Sequence, residues 1–162
     1  LLSRGLGDVY KRQNQIYAVS LPHTMLTAKQ ALQVVNTVEE KLLAGPGIRS
    51  LSPEHKDYHE IYCGSLPKRD AAYHQGTAWG FLMGGFLTAY MKVHHHSPEA
   101  KKQAMAYLAP VQTHLLEEGC IGSISEIFDG DAPHTCRGCY AQAWSVGEIL
   151  RCYTQDIQKN QK

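Results

Sequence analysis

The segment from Thr77 to Met91 contains no charged side chain, and it constrains the fold of this chain more than any other segment does. It is shorter than the roughly 20 apolar residues that a membrane-spanning helix needs, and glycines interrupt it. A helix without a polar face is stable in water only when it is buried on all sides. The sequence therefore predicts a buried helix from about Thr77 to Val93, and it predicts no membrane segment.

Three further helices are predicted from their N-caps, their apolar stripes and the residues that end them. Two of them are amphipathic, one from the N-cap Thr27 to Gly45 and the other from the N-cap Ser97 to Gly119. Pro110 lies inside the second of these and is expected to kink it. The last helix, from about Tyr140 to Tyr153, is again mostly apolar.

Amphipathic and almost wholly apolar helices alternate along the chain. This order fits an outer ring of helices around an inner ring, although an α-solenoid predicts a similar alternation. The two long connections, residues 45–76 and 119–139, fall at the same end of antiparallel helices, where functional loops are typical. We therefore predict an all-α fold of about four helices in outer and inner pairs. Residues 15–21 are predicted to form a strand or an extended lead-in.

The charges and the cysteines argue against several classes of protein. Lys and Arg total 16 and Asp and Glu total 15, a balance that argues against a nucleic-acid partner. Five cysteines cannot complete a disulfide framework, so a reducing, cytoplasmic setting is expected. Cys136 and Cys139 have CxxC spacing but lack the second ligand pair of a zinc site. We expect neither a metal nor another cofactor.

The loop of residues 119–138 is rich in carboxylates. Glu126, Asp129 and Asp131 lie within six positions, and Glu126 lies between Ile124 and Ile127 in the sequence SISEIFDGD. Cleavage of a glycosidic bond needs two carboxyl groups, one as acid and one as base or nucleophile. Alternatively, Asp129 to Asp131 is a solvated turn or a weak calcium loop, although it lacks the length and the terminal Glu of a calcium-binding hand.

The loop of residues 45–76 combines hydroxyl-binding and ring-stacking side chains. Sugars are bound by such mixtures, because they present both hydroxyl groups and flat C–H faces. Alternatively, His74 and Gln75 only cap the following helix, and Trp79 belongs to the core. The candidate sugar-binding residues are Arg49, Asp70, Tyr73, His74, Gln75 and Trp79.

Four motifs together resemble the C-terminal end of the amylo-α-1,6-glucosidase domain of glycogen debranching enzymes, most nearly the bacterial and archaeal forms. They occur in the family's order and cover almost all of residues 14–153. The motifs are NQIYAVSLP at 14–22, GIRSLSP at 47–53, RDAAYHQGTAW at 69–79, and SEIFDGDAP at 125–133 with GCYAQAWSVGEILR at 138–151.

The resemblance implies an (α/α)6 barrel similar to that of glucoamylases, with the active site in the loops at one end. It implies removal of α-1,6-linked glucose from glycogen or limit dextrin, with inversion. Glu126 falls at the position of the family's general base. The residues that fall in the motifs shaping the glucose pocket are Arg49, Asp70, Tyr73, His74, Gln75 and Trp79, with Asp129 and Asp131 from the acidic loop.

Residues 1–13 differ from the rest of the chain. DVYKRQ at 8–13 looks like the translation of a transposon end used in sequencing libraries, so residues 1–13 are expected to be a non-native leader. Residues 14–162 would then be the C-terminal part of a glucosidase domain. The family's general acid, an aspartate, lies in an earlier part of the barrel. We therefore expect this chain to be inactive alone and to expose apolar faces.

Two other functions fit the same residues less well. A sugar isomerase or epimerase on the same helical toroid would use His74 as its base. A non-catalytic glycan-binding module would bind sugar without needing Glu126. The pairing of SEIFDGD with AYHQG favours the hydrolase over both.

Overall fold

The computed structural model describes residues 11–158, in which helices predominate. No helix within this range is long and apolar enough to cross a membrane. A 3-10 turn (Gln13–Ile16) precedes the first α-helix, and a π-helical turn (Tyr153–Ile157) follows the last. The α-helices are α1 (Tyr17–Ser20), α2 (Ala28–Lys41), α3 (Leu66–Tyr73), α4 (Leu82–Val93), α5 (Pro98–Glu117) and α6 (Ala143–Cys152).

Helix α4 is the centre of the core, as its lack of charge predicts. Every residue from Leu82 to Met91 is buried, and α1, α2, α5 and α6 all pack against this helix. The helix begins at Leu82 and not near Thr77, because Ala78 and Trp79 extend as a strand whose backbone pairs with two neighbours. The prediction of a buried helix is confirmed, and its predicted start is corrected.

The two amphipathic helices begin where their N-caps predict. The Thr27 side chain and Gln30 form a reciprocal capping box at the start of α2. The Ser97 hydroxyl accepts a hydrogen bond from the Ala100 N–H at 3.2 Å at the start of α5. Helix α5 continues through Pro110, which is exposed, as far as Glu117.

Helix α6 is shorter and more exposed than predicted. It begins at Ala143, and Ser145 and Cys152 are its buried residues. Trp144 is 46% exposed and Leu150 is 59% exposed. One side of α6 therefore presents large apolar side chains to solvent, which agrees with the expectation that this chain exposes apolar faces.

A small antiparallel sheet corrects the all-α prediction. Its strands run in chain order across the sheet, so each strand pairs with the next one along the sequence. Two- and three-residue strands are too short to produce an alternating pattern in the sequence, and so they were missed. The strands are β1 (Leu43–Ala44), β2 (Gly47–Arg49), β3 (Ala78–Trp79), β4 (Ile127–Phe128) and β5 (Cys136–Arg137).

Two further elements differ from the sequence-based expectation. Residues 15–21 are largely helical and not extended, because they form the end of the 3-10 turn and α1. Helix α3 was not predicted, and it ends at Tyr73, directly before the His74-Gln75-Gly76 segment.

The sheet brings together the two long loops that carry the candidate site. Trp79 of β3 pairs with Ile48 of β2 on one side and with Ile127 of β4 on the other. Ile127 in turn pairs with Arg137 of β5. Both loops are thus joined by backbone hydrogen bonds at one end of the helices.

Most of the predicted leader, residues 1–10, lies outside the described residues. Two of its other residues contact the loop of residues 45–76. The Lys11 ammonium lies 2.6 Å from a Glu54 carboxylate oxygen, and Arg12 donates to the His74 carbonyl and to the Gln75 side chain, both at 2.7 Å. The boundary after Gln13 stays a prediction.

Candidate active site

Glu126 lies directly before β4, and both its backbone N–H and its backbone carbonyl are hydrogen-bonded. Its N–H donates to the Cys139 carbonyl at 2.8 Å, and its own carbonyl accepts from the Gly80 N–H at 3.3 Å. Ser125, the preceding residue, is buried, whereas Glu126 itself is half-buried. The carboxylate is therefore carried by a fixed backbone while keeping access to solvent.

Each oxygen of the Glu126 carboxylate accepts one hydrogen bond. Oε1 accepts from the Tyr73 hydroxyl at 2.7 Å, and Oε2 accepts from the Cys139 N–H at 3.0 Å. Each oxygen of an ionised carboxylate has two acceptor sites, so one site remains on each oxygen. Glu126 is thus oriented by two donors and can still accept a proton from a third group.

Gly138 makes room for this carboxylate. Its φ angle of +66° lies in the left-handed region that favours glycine. A Cβ atom at this position would lie 2.6 Å from Glu126 Oε2 and 2.9 Å from a side-chain carbon of Ile127. The turn after β5 can therefore approach the carboxylate only because residue 138 has no side chain.

Tyr73 is a hydrogen-bond donor to the carboxylate over the whole physiological pH range. Burial of the phenol, followed by its hydrogen bond to Glu126, raises the Tyr73 pKa well above its usual value. The ring also packs against Tyr62, with centroids 5.6 Å apart, and edge-on against Trp79 at 4.7 Å. These contacts fix the ring, and with it the direction from which the hydroxyl meets Glu126.

Tyr73 belongs to a cluster of aromatic rings that also contains His74, Trp79, Phe81 and Trp144. The His74 ring stacks parallel to Trp79, with centroids 5.3 Å apart. Trp79 is buried, and its indole N–H donates to the Tyr73 carbonyl at 3.2 Å. Trp144 lies edge-on to Trp79 at 6.0 Å and stacks on Phe81 at 4.6 Å. The exposed members of this aromatic cluster, His74 and Trp144, offer ring surface to a ligand.

A cleft of about 390 Å³ opens beside the aromatic cluster. A larger cleft of about 530 Å³ lies by the start of α3, but none of the predicted site residues lines it. We regard the smaller cleft as part of the candidate site, because it contains His74, Trp79 and Trp144. The residues that line it are Arg12, Gln13, Asn14, His74, Trp79, Phe81, Leu82 and Trp144.

The other two carboxylates of the acidic loop are engaged elsewhere. Asp129 is only 4% exposed, pairs with Arg137 at 2.9 Å and accepts from the Tyr62 N–H at 2.8 Å. Asp131 accepts from the Tyr58 hydroxyl at 2.7 Å. Burial, followed by this hydrogen bond, raises the pKa of Tyr58 to about 12. Both aspartates therefore hold the loop in place.

Arg49 also contacts the acidic loop. Its Nε donates to the Gly130 carbonyl at 2.8 Å, and Nη1 donates to the Leu43 carbonyl at 2.9 Å. Gly130 itself is tightly enclosed, since a Cβ atom there would lie 2.4 Å from the Tyr58 hydroxyl oxygen. Arg49 thereby ties β1 and the acidic loop together, across 81 residues of sequence.

The remaining predicted binders occupy different environments. The Gln75 side-chain oxygen accepts from Arg12, and Gly76, the next residue, donates its N–H to the buried Ser50 hydroxyl at 2.9 Å. Asp70 is exposed on α3, one turn before Tyr73. The structure therefore groups Tyr73, His74 and Trp79 with Glu126, and it leaves Asp70 exposed on α3.

Sequence reasoning overlooked His114. This residue of α5 is buried, and its ring accepts a hydrogen bond from the Ser125 N–H, next to Glu126. A single histidine on an amphipathic helix gives no signal that separates it from a solvated one. Only the packing of α5 under β4 reveals the contact.

The described residues contain no group of three or more His, Cys, Asp or Glu side chains that could hold a metal ion. Cys63, Cys120, Cys136, Cys139 and Cys152 are all unpaired. Burial raises the pKa of the Cys152 thiol to about 12, so this cysteine is a core residue and not a thiolate nucleophile.

Comparison with known proteins identifies a family and a relative. The family model described as amylo-alpha-1,6-glucosidase matches residues 3–151 of the chain. The glycogen debranching enzyme of Saccharomyces cerevisiae (strain ATCC 204508 / S288c) is 27% identical over 162 aligned positions, gaps included. The match covers 88% of this chain and 10% of that protein. The chain thus spans about a tenth of the length of this relative.

Proposed function

The chain belongs to the amylo-alpha-1,6-glucosidase family, and on that premise we propose that it supplies the general-base side of an active site that hydrolyses α-1,6-linked glucose in branched glucans. The observation that carries this proposal is the Glu126 carboxylate, held between the Tyr73 hydroxyl and the Cys139 N–H beside the aromatic cluster. The substrate is a branched α-glucan such as glycogen or a limit dextrin.

In the proposed reaction, Glu126 accepts a proton from a water molecule. The oxygen of that water attacks the anomeric carbon of the branch glucose as the bond to the leaving O6 breaks. A carboxylic acid on the opposite side of the sugar protonates O6, so one water is consumed and free glucose is released with inverted configuration. We assign this acid to a segment outside residues 11–158, because Asp129 and Asp131 are engaged by Arg137 and Tyr58.

The predicted sugar-binding residues divide into two groups in this proposal. Tyr73, His74 and Trp79 surround the glucose directly in this proposal, since Tyr73 donates to Glu126 and the other two line the cleft. Asp70 and Gln75 bind hydroxyl groups at the edge of the pocket. Arg49, Asp129 and Asp131 act indirectly, by holding the acidic loop that carries Glu126 in place.

We further propose that these helices are part of an (α/α)6 barrel, with residues 14–162 as its C-terminal part. The wholly buried helix α4 supports this assignment as an inner helix. The exposed Trp144 and Leu150 of α6 support it as well, because a neighbouring inner helix would cover them. A cytoplasmic location is proposed from the five unpaired cysteines.

The test is glucose release by the full-length protein that carries this segment. We expect free glucose from an oligosaccharide with a single α-1,6-linked glucose branch, and none from the linear α-1,4 chain of equal length. Proton NMR at early times should detect the β-anomer first, because hydrolysis of an α-linkage with inversion gives β-glucose. Binding without glucose release would instead support a glycan-binding module, and sugar interconversion would support an isomerase.

Replacement of Tyr73 by Phe removes one of the two donors to Glu126 and leaves the ring contacts in place. We expect kcat for glucose release to fall about tenfold, because a misoriented carboxylate is a poorer base even at small displacements. Tyr140→Phe provides a matched control, since it deletes an exposed hydroxyl that takes part in neither of the described hydrogen bonds to the Glu126 carboxylate. Equal rates for both variants would show that the Tyr73 hydroxyl does not orient Glu126.

A further inference from the structure

His114 is a buried imidazole that the proposed reaction does not use. Its side chain is 0% exposed, so it cannot touch substrate. It lies in α5 under the backbone of β4, and its ring meets Phe128 edge-on, with centroids 4.9 Å apart. Burial of a polar ring costs free energy unless its nitrogens are hydrogen-bonded. The partners of the two nitrogens therefore indicate what this residue does.

Both nitrogens of the His114 ring have partners. Nε2 accepts from the Ser125 N–H at 3.1 Å, and Nδ1 lies 3.3 Å from Glu118 Oε2. A backbone N–H can only donate, so Nε2 carries no proton, and the ring proton of the neutral imidazole is on Nδ1, facing Glu118. The Glu118 carboxylate thus selects the tautomer that leaves Nε2 free to accept from Ser125.

The backbone that His114 anchors is the one that carries Glu126. The Ser125 N–H is held by His114, and the next N–H, that of Glu126, is held by the Cys139 carbonyl. The backbone at Gly119 packs closely against the His114 ring, because a Cβ atom at Gly119 would lie 3.0 Å from His114 Cε1. The His114 side chain therefore connects helix α5 to the backbone directly before β4.

We propose that His114 is a positioning residue for Glu126. Through Ser125 it fixes where β4 begins, and so directs the Glu126 carboxylate between the Tyr73 hydroxyl and the Cys139 N–H. This role rests on the proposed function of Glu126 as general base. An apolar side chain of similar volume could fill the same space but could not accept the Ser125 hydrogen bond.

Two substitutions distinguish the role of His114 as a hydrogen-bond acceptor from its role in packing against Phe128. His114→Phe keeps a planar ring against Phe128 but provides no acceptor. In the full-length protein we expect it to lower kcat about 10- to 100-fold with KM changed less than about twofold, because a misplaced base affects the chemical step more than substrate binding. His114→Gln provides an amide oxygen near the position of Nε2, and we expect it to recover most of kcat.

Val111→Ala provides the control for general destabilisation. Val111 is buried one turn earlier on α5 and has no contact with Ser125 among the described hydrogen bonds. We expect this variant to lower the melting temperature while kcat stays near that of the wild type. Equal kcat for wild type and His114→Phe, or an equal loss for His114→Phe and Val111→Ala at matched stability, would overturn the proposal.

A measurement on the 162-residue chain is independent of catalysis. We expect hydrogen exchange of the Ser125 amide to be slow in the wild type, faster in His114→Phe and again slow in His114→Gln. Unchanged exchange in His114→Phe would refute the anchoring contact itself. If the full-length wild type releases no glucose while the exchange pattern holds, the proposed function fails and the anchor remains.

Discussion

Replacement of Glu126 by Gln in the full-length protein is expected to reduce kcat for glucose release by at least about 100-fold, because general acid–base groups contribute about 10²- to 10⁴-fold. The amide has nearly the shape of the carboxylate, and its oxygen can still accept from Tyr73 or Cys139. It cannot accept a proton from water at neutral pH. The loss should therefore appear in kcat, with little change in KM. The measurement is steady-state glucose release from the singly branched oligosaccharide.

Glu117→Gln is the matched control, since Glu117 is an exposed carboxylate at the end of α5. It makes the same chemical change nine positions away and should leave the rate unchanged. Comparable rates for wild type and Glu126→Gln would reject Glu126 as the base and transfer the role to Asp129 or Asp131. Because Asp129 is buried against Arg137, the exposed Asp131 would be tested first.

Replacement of Gly84 by Leu is expected to destabilise the chain by about 2 kcal/mol or more, which is the range for overpacking a close contact. Gly84 lies where α4 meets α6. A Cβ atom at this position would lie 2.5 Å from Glu148 Oε2, 2.8 Å from Glu148 Cβ and 2.9 Å from its carbonyl oxygen. A flexible carboxylate could move aside, but the Cβ and the backbone could not. Urea unfolding of the 162-residue chain, followed by circular dichroism, measures the effect.

The same helix pair offers a control in Gly147 of α6. A Cβ atom at Gly147 meets nothing within 4 Å. Gly147→Ala should stabilise the chain by about 0.5 to 1 kcal/mol, because alanine loses less backbone entropy than glycine when a helix forms. If Gly84→Leu were as stable as the wild type, the two helices would not be in the close contact described here.

The helices were predicted best where a pattern within the segment itself, without distant contacts, indicates its structure. The absence of charge in α4 predicted its burial, and the capping box at Thr27 and Gln30 located the start of α2. The start of α4 was predicted too early, because Ala78 and Trp79 are as apolar as the helix that follows them. Whether such a pair extends or coils is decided by its pairing with β2 and β4, which are distant in the sequence.

The candidate site was predicted in its composition but not in its contacts. The motif that carries Glu126 and the motif that carries Tyr73 were both identified, yet their hydrogen bond joins residues 53 positions apart. Asp129 and Arg49 resemble ligand-binding residues in the sequence. Their actual partners, Arg137 and the Gly130 carbonyl, could be identified only from the fold. His114 was overlooked for the same reason.

The five very short strands have a consequence for the order of folding. Strand pairs such as Trp79 with Ile127 close large loops of chain, which is slow and entropically costly, whereas the helices form from local contacts. The sheet next to Glu126 should therefore form late in folding, after the neighbouring helices have packed against α4. In the native state, however, the strands belong to the same buried core as α4, because Ile48, Trp79 and Ile127 are each at most 5% exposed. Loss of activity in the full-length protein should therefore coincide with loss of the helical circular-dichroism signal as denaturant is raised.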